Sequence, residues 1–173
     1  MKTEQVLGIL KVLAWIIFIG LCIKTGAMVI SFIISLLITS DTAGDLYRGM
    51  NFKELFDFSK WHYLVMVTLV ITLSGLKAYL FYRVVKIILK LNITHPFSEY
   101  IAGNISKMSG IALQIGITAV ITNIYAKWLI KEGIGFTYEG GETEYLFLAG
   151  ILFVIAVIFK RGIELQSENE LTI

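Results

Sequence analysis

Two lysines, Lys24 and Lys77, lie inside stretches that are otherwise apolar. The run Val12 to Ile38 is 27 residues long and Lys24 is its single charge. An ammonium near the centre of a bilayer costs on the order of 2.5–3.5 kcal/mol, so something must offset each one. Three kinds of chemistry would do so. The long side chain can snorkel toward the cytoplasmic headgroups. Both amines can face one inner cavity and hold an anion: a lipid phosphate, a ligand carboxylate, or the chain's own Glu164 or Glu168. A deprotonated lysine can act as a catalyst. Gln114, near the middle of another apolar run, joins Lys24 and Lys77 as a candidate ligand- or anion-binding residue.

The elements that must position these groups follow from composition. Charged residues make up 16% of the chain, against about 25% in soluble domains, and the mean hydropathy is +0.78. Long apolar runs with a single proline predict helices rather than the alternating strands of a membrane barrel. The expected fold is all-α: an integral membrane protein with four transmembrane helices over about 12–38, 63–90, 104–130 and 145–161. A short cytoplasmic tail, 162–173, completes a single domain. The first run is too long for the apolar part of a signal peptide, about 7–15 residues. Cys22 is the one cysteine and forms no intramolecular disulfide.

Orientation follows from charge. With both ends inside, Lys and Arg number eight on the cytoplasmic side (2, 11, 83, 86, 90, 107, 160, 161) and five outside (48, 53, 60, 127, 131). The bias agrees with the positive-inside rule. Gly20, Lys24, Ala27, Ser31 and Ser35 recur at helical spacing and predict the packing face of the first span. Lys107, Gly110, Gln114, Thr118, Thr122 and Tyr125 predict an inward polar stripe on the third. Ala149 and Ala156 mark the packing face of the fourth.

Asn51 followed by Glu54 predicts a capping box. It would open a short surface helix with Phe52, Leu55 and Phe56 on one side. Pro96 and Phe97 predict a break and a new helix. The glutamate- and glycine-rich connection 131–144 carries no motif.

At the cytoplasmic end, Arg83, Lys86, Lys90 and Lys107 form a basic surface, read as positive-inside charge or an anionic-lipid site. Glu164 and Glu168 stand four apart on one face of the tail, so the tail can dock on those basic ends or bind a basic partner. Gly-x-Ser-x-Gly, His-Glu-x-x-His and phosphate-loop patterns do not occur, and enzyme is the weakest class. One cysteine and two separated histidines make no metal set. Net charge of +2 leaves no nucleic-acid footprint. No cofactor is expected.

Phe159-Lys160-Arg161-Gly162-Ile163-Glu164-Leu165-Gln166-Ser167-Glu168-Asn169-Glu170-Leu171-Thr172-Ile173 resembles the closing signature of the YoaS-like family. These are bacterial four-helix membrane proteins grouped as a domain of unknown function. Pro96-Phe97-Ser98-Glu99 resembles the family's other signature, although Ala102-Gly103-Asn104 is neutral where the family is often basic. The resemblance implies residence in the bacterial cytoplasmic membrane. It also implies a regulatory or sensory role through a small Cro-like helix-turn-helix transcription regulator. The alternative is a small-molecule or lipid transporter or binder using the inward polar face, which would favour a homo-oligomer. Partners are thus the lipid bilayer and a cytoplasmic regulator, without direct nucleic-acid contact.

Overall fold

The computed structural model describes residues 3–38, 40–91, 97–136, 138, 140–141 and 143–170. It is helical: α1 (Thr3–Leu37), a 3₁₀ turn (Ser40–Asp45), α2 (Lys53–Phe58), α3 (Lys60–Lys90), α4 (Glu99–Lys131) and α5 (Glu144–Glu170). The four long helices α1, α3, α4 and α5 are long and apolar enough to cross a membrane. α5 runs through the segment expected to be a tail, because no glycine or proline stop follows Gly162 and the residues after it are tolerated in a helix. His95 and Pro96 lie outside the described residues.

The long helices pack in chain order, α1 on α3, α3 on α4 and α4 on α5. Among the described residues α1 does not pack against α4 or α5. Each neighbour is antiparallel. The start of α1, the end of α5 and the α3–α4 connection therefore share one end, called the terminal end. The other two connections share the loop end.

The α1–α3 seam is a narrow stripe. Ala14, Met28 and Ser35 are buried, Phe18 packs on Tyr82 and Phe32 on Tyr63. Thr25 donates to its own helix at the Leu21 carbonyl and lies 2.8 Å from the Ser74 hydroxyl. Ser35 likewise donates to Phe32 and lies 2.6 Å from the Tyr63 hydroxyl. A hydroxyl has one proton, so Ser74 and Tyr63 are the donors across the seam. This stripe differs from the expected one by about one residue: Gly20 is exposed, and Lys24, Ala27 and Ser31 run along its half-buried edge. Thr25 and Ser35 pack because their hydroxyls are satisfied twice; a lysine there would be stranded.

Two polar contacts clamp α3 to α4. His62 Nδ1 lies 2.6 Å from the Tyr125 hydroxyl, and Arg83 Nη1 donates to Asn104 Oδ1 at 3.2 Å. They stand 21 residues apart along each helix, or about 32 Å at about 1.5 Å per residue. That is the thickness of a bilayer's hydrocarbon core, about 30 Å. Between them lies an apolar core with Leu73, Leu80, Met108, Ile111, Ile115 and Ala119.

α5 meets α4 through Ala149 and Ala156, both buried as their spacing predicts. The Ser109 hydroxyl donates to the Ala149 carbonyl. Gly116 permits a close approach: a Cβ there would sit 2.5 Å from the Leu146 side chain and 2.9 Å from its backbone nitrogen. Leu146 is in the first turn of α5, so α5 begins about halfway along α4.

Candidate functional site

The late start of α5 forces the α4–α5 connection down from the loop end into the bundle. Glu54 accepts from the Gly135 amide at 3.0 Å, Phe136 stacks on Phe52 at 5.6 Å, and Tyr138 reaches a central cavity. The α1–α3 connection descends beside it. Arg48 and Gly49 both have positive φ, 47° and 84°, and Met50 N–H returns to the Tyr47 carbonyl. A turn of this hand reverses the chain tightly, and Tyr47 and Met50 flank it on the inner side.

These two connections, the end of α1 and the loop-end portions of α3 and α4 bury one core. Met28, Phe52, Leu55, Tyr63, Met66, Val67, Ala126 and Leu129 belong to it. The short helix α2 is thus half of a plug rather than a surface helix. Its expected capping box does not form. The N-cap is Phe52, without a side-chain bond. Asn51 Oδ1 accepts from Lys53 N–H, and Glu54 is used 81 residues away on Gly135. A carboxylate that ties two loops together cannot also reach back to its own N-cap.

Beneath the plug is a cavity of about 40 Å³ lined by Lys24, Met28, Met50, Val70, Leu73, Ser74, Lys77 and Tyr138. Lys24 and Lys77 therefore line the same space. Both ammoniums rest on rings: Lys24 Nζ is 5.8 Å from the centroid of Tyr47, and Lys77 Nζ is 5.8 Å from that of Tyr145. Such contacts are attractive within about 6 Å. Tyr47 belongs to the loop-end plug, so Lys24 reaches toward the loop end, opposite to the snorkelling direction expected. About 10–15 Å³ holds one water, so the cavity admits a few waters or one monatomic ion.

Ser74 stands three residues before Lys77, so a Ser-x-x-Lys spacing is present in α3, contrary to the expectation that no such catalytic pattern occurs. Helical geometry puts both on one face. The Ser74 proton is engaged by Thr25, as argued above, and Lys77 sits over Tyr145.

Gln114 is not with the lysines. It stands exposed on α4, as do Lys107 and Gly110, while Thr122 of the same expected stripe is buried. A 3.6-residue period drifts, so a stripe read over 19 residues turns from one face to another. Thr122 satisfies itself by donating to the Thr118 carbonyl at 2.7 Å and can be buried; Gln114 has no such local bond.

At the terminal end the basic residues lie on aromatic rings. Arg83 sits over Tyr79, 4.9 Å to the centroid, and Nη2 donates to the Tyr79 hydroxyl. Lys86 is 4.6 Å from the Tyr82 ring and Lys90 is 4.3 Å from the Tyr100 ring. Ser98 caps α4 by accepting from Ile101 N–H, and Phe97 packs edge-on to Phe159. Gly162 is needed there, since a Cβ would press into the Phe97 ring at 2.6 Å. Glu164 pairs with Arg161 one turn earlier, at 2.5 Å, rather than with Arg83. Among the described residues the tail continues α5 as helix to Glu170 instead of folding back. Glu164, Leu165 and Glu168 are exposed on it.

Fold and site together define a class: an all-helical chain with four helices of membrane-spanning length around a small lysine-lined cavity. Set against protein families, curated proteins and solved structures, the chain finds no match.

Proposed function

We propose that this chain is a multi-pass protein of the bacterial cytoplasmic membrane, non-enzymatic and regulatory or sensory, with its N- and C-termini in the cytoplasm. It acts through a soluble partner, a small helix-turn-helix transcription regulator of the kind that the YoaS-like resemblance implies. The observation that carries this reading is the unbroken run of α5 to Glu170. It projects Glu164, Leu165 and Glu168 from the terminal end as an exposed, acidic and partly apolar helix. A helix-turn-helix protein is basic where it meets phosphate, so an acidic helix can compete for that surface. The positive residues Arg83, Lys86, Lys90 and Lys107 beside it fit the cytoplasmic side of a membrane.

The test is co-fractionation of a small helix-turn-helix regulator with membranes that carry the full chain. Retention that drops at least tenfold in Glu164→Lys/Glu168→Lys supports the reading. Undiminished retention by a chain ending at Gly162 overturns it.

One observation favours the alternative of a ligand binder: Lys24 and Lys77 share a cavity. The volume narrows that alternative to a ligand the size of a single ion. Its signature is a thermal midpoint that rises with halide concentration and stops doing so in Lys24→Met/Lys77→Met.

A further inference from the structure

Gln114 poses a problem that one copy of the chain does not solve. It is exposed on α4, ten residues past Asn104 and eleven before Tyr125, the two residues that clamp α4 to α3. If those clamps mark the edges of the hydrocarbon, Gln114 sits at its midplane, about 15 Å from either edge. Its carboxamide carries two donors and an acceptor. Left facing lipid, these groups would go unsatisfied where no water can reach them.

Its surroundings describe what covers it. Gly103, Lys107, Gly110, Gln114, Ile117 and Ile121 recur at steps of four and three along one side of α4. Gly110 is exposed, and a Cβ there would meet nothing within 4 Å. Ile117 and Ile121 are about half exposed. The buried sides of α4 are already taken by α3 and α5. What remains is a polar amide beside a glycine that permits close backbone approach, flanked by branched apolar residues. Small and amide residues at this spacing are what joins helices within lipid.

We propose that this face of α4 is the contact surface for a second copy of the chain, related by a two-fold axis normal to the membrane. Among partners, a second copy satisfies one condition automatically. Two copies inserted in the same direction carry Gln114 at the same depth, and a carboxamide is both donor and acceptor. Gln114 of each copy can then give a hydrogen bond to, and take one from, its own counterpart across the axis. A single polar residue in an otherwise apolar seam also fixes its register. Lys107, two turns toward the terminal end, lies only three residues from Asn104, so both ammoniums can turn out to the headgroups. The inference rests on the multi-pass reading above but is independent of the cytoplasmic partner.

The experiment uses the full chain in lipid vesicles. In a Cys22→Ser background, Gln114→Cys is compared with Ile23→Cys, an exposed position on α1 (65% exposed). Mild oxidation should give a disulfide-linked dimer at least five times faster through position 114. Energy transfer between labelled copies, diluted with lipid, should show dimerisation weakened about 3- to 30-fold in Gln114→Leu, the range for interhelical hydrogen bonds in membranes. Gly110→Leu, at an exposed position where a Cβ meets nothing within 4 Å in the single copy, should weaken it as well. Equal crosslinking at positions 114 and 23 would overturn the proposal. So would monomers at every dilution in a chain that resists alkaline carbonate extraction, or capture of a different protein at position 114. A chain released by carbonate would overturn the membrane reading and this one together.

Discussion

The two ends of the bundle solve one problem by different means. At the loop end, two connections cross between helices and fill the space below them with buried side chains: Phe52, Leu55, Tyr63 and Leu129 are all fully buried. At the terminal end, the half-buried Arg83 and Lys86 and the exposed Lys90 lie along rings, and α5 runs on to Glu170. A large buried core and the His62–Tyr125 contact hold the first end; the Arg83–Asn104 contact, cation–ring contacts and a smaller core of Ile101, Ile105 and Ala156 hold the second. The difference teaches where change is tolerated. A plug of buried aromatics resists rearrangement, whereas an exposed helical extension can meet a partner without unfolding anything.

The sharpest way to break this comparison is at Phe52. Phe52→Ala removes a buried ring stacked on Phe136 and should cost about 3–5 kcal/mol, read as a fall in the thermal midpoint. Leu165→Ala, on the exposed extension, should change it by less than about 0.5 kcal/mol. Equal effects would erase the distinction between the ends.

Next comes the terminal clamp. Arg83→Met leaves Asn104 Oδ1 and the Tyr79 hydroxyl without their donor and should cost about 1.5–3 kcal/mol, as for hydrogen bonds to charged groups. Arg83→Lys should recover only part, because an ammonium cannot fork to both acceptors. Denaturant titration in micelles measures both.

Gly116→Val should cost about 1–3 kcal/mol through overpacking against Leu146. It should also loosen the start of α5, seen as faster proteolysis in the connection 132–143. A smaller loss, about 0.5–1.5 kcal/mol, is expected for Tyr63→Phe, which removes the donor to Ser35 but keeps the ring.

The smallest effect belongs to the exposed pair Asp41–Lys53, 2.7 Å apart. The Lys53 hydrogen bond, and then its charge, hold the Asp41 carboxyl below the usual range. The same contact from Asp41 raises Lys53 above its own. A depressed carboxylate stabilises above its unfolded pKa and ceases to as pH falls through the lowered value. A raised lysine stabilises below its unfolded pKa and ceases to as pH rises through the raised one. Stability from this pair is therefore flat between about pH 5 and 10, declines outside that window, and is small at high salt. Asp41→Asn should flatten the acid limb slightly in a pH series of thermal melts.

Much of the architecture was legible in the residues. Apolar length located four helices, and Ala149 and Ala156 placed the seam of α5, because small residues seven apart share a face. Phe52, Leu55 and Phe56 were read onto one side of a short helix, which they occupy. Lys24 and Lys77 were singled out because an ammonium in an apolar run needs a reason. Legibility failed where long-range contacts decide. Phe136 and Tyr138, among glycines in a connection that carries no motif, plug the bundle. Glu54 left its expected cap for Gly135. Gln114 faces outward because period alone cannot say which side of α4 its neighbours take.

Composition and hydrophobic periodicity, which are local properties of the chain, determined by themselves that this is an all-helical protein with four helices of spanning length. Which helix touches which was decided only in three dimensions, as was the descent of the loops onto Lys24 and Lys77 and the exposure of Gln114. The physical reason is that burial sums over partners distant in sequence. An α-helix with apolar residues all around it has several faces it could bury, and packing against its neighbours chooses among them.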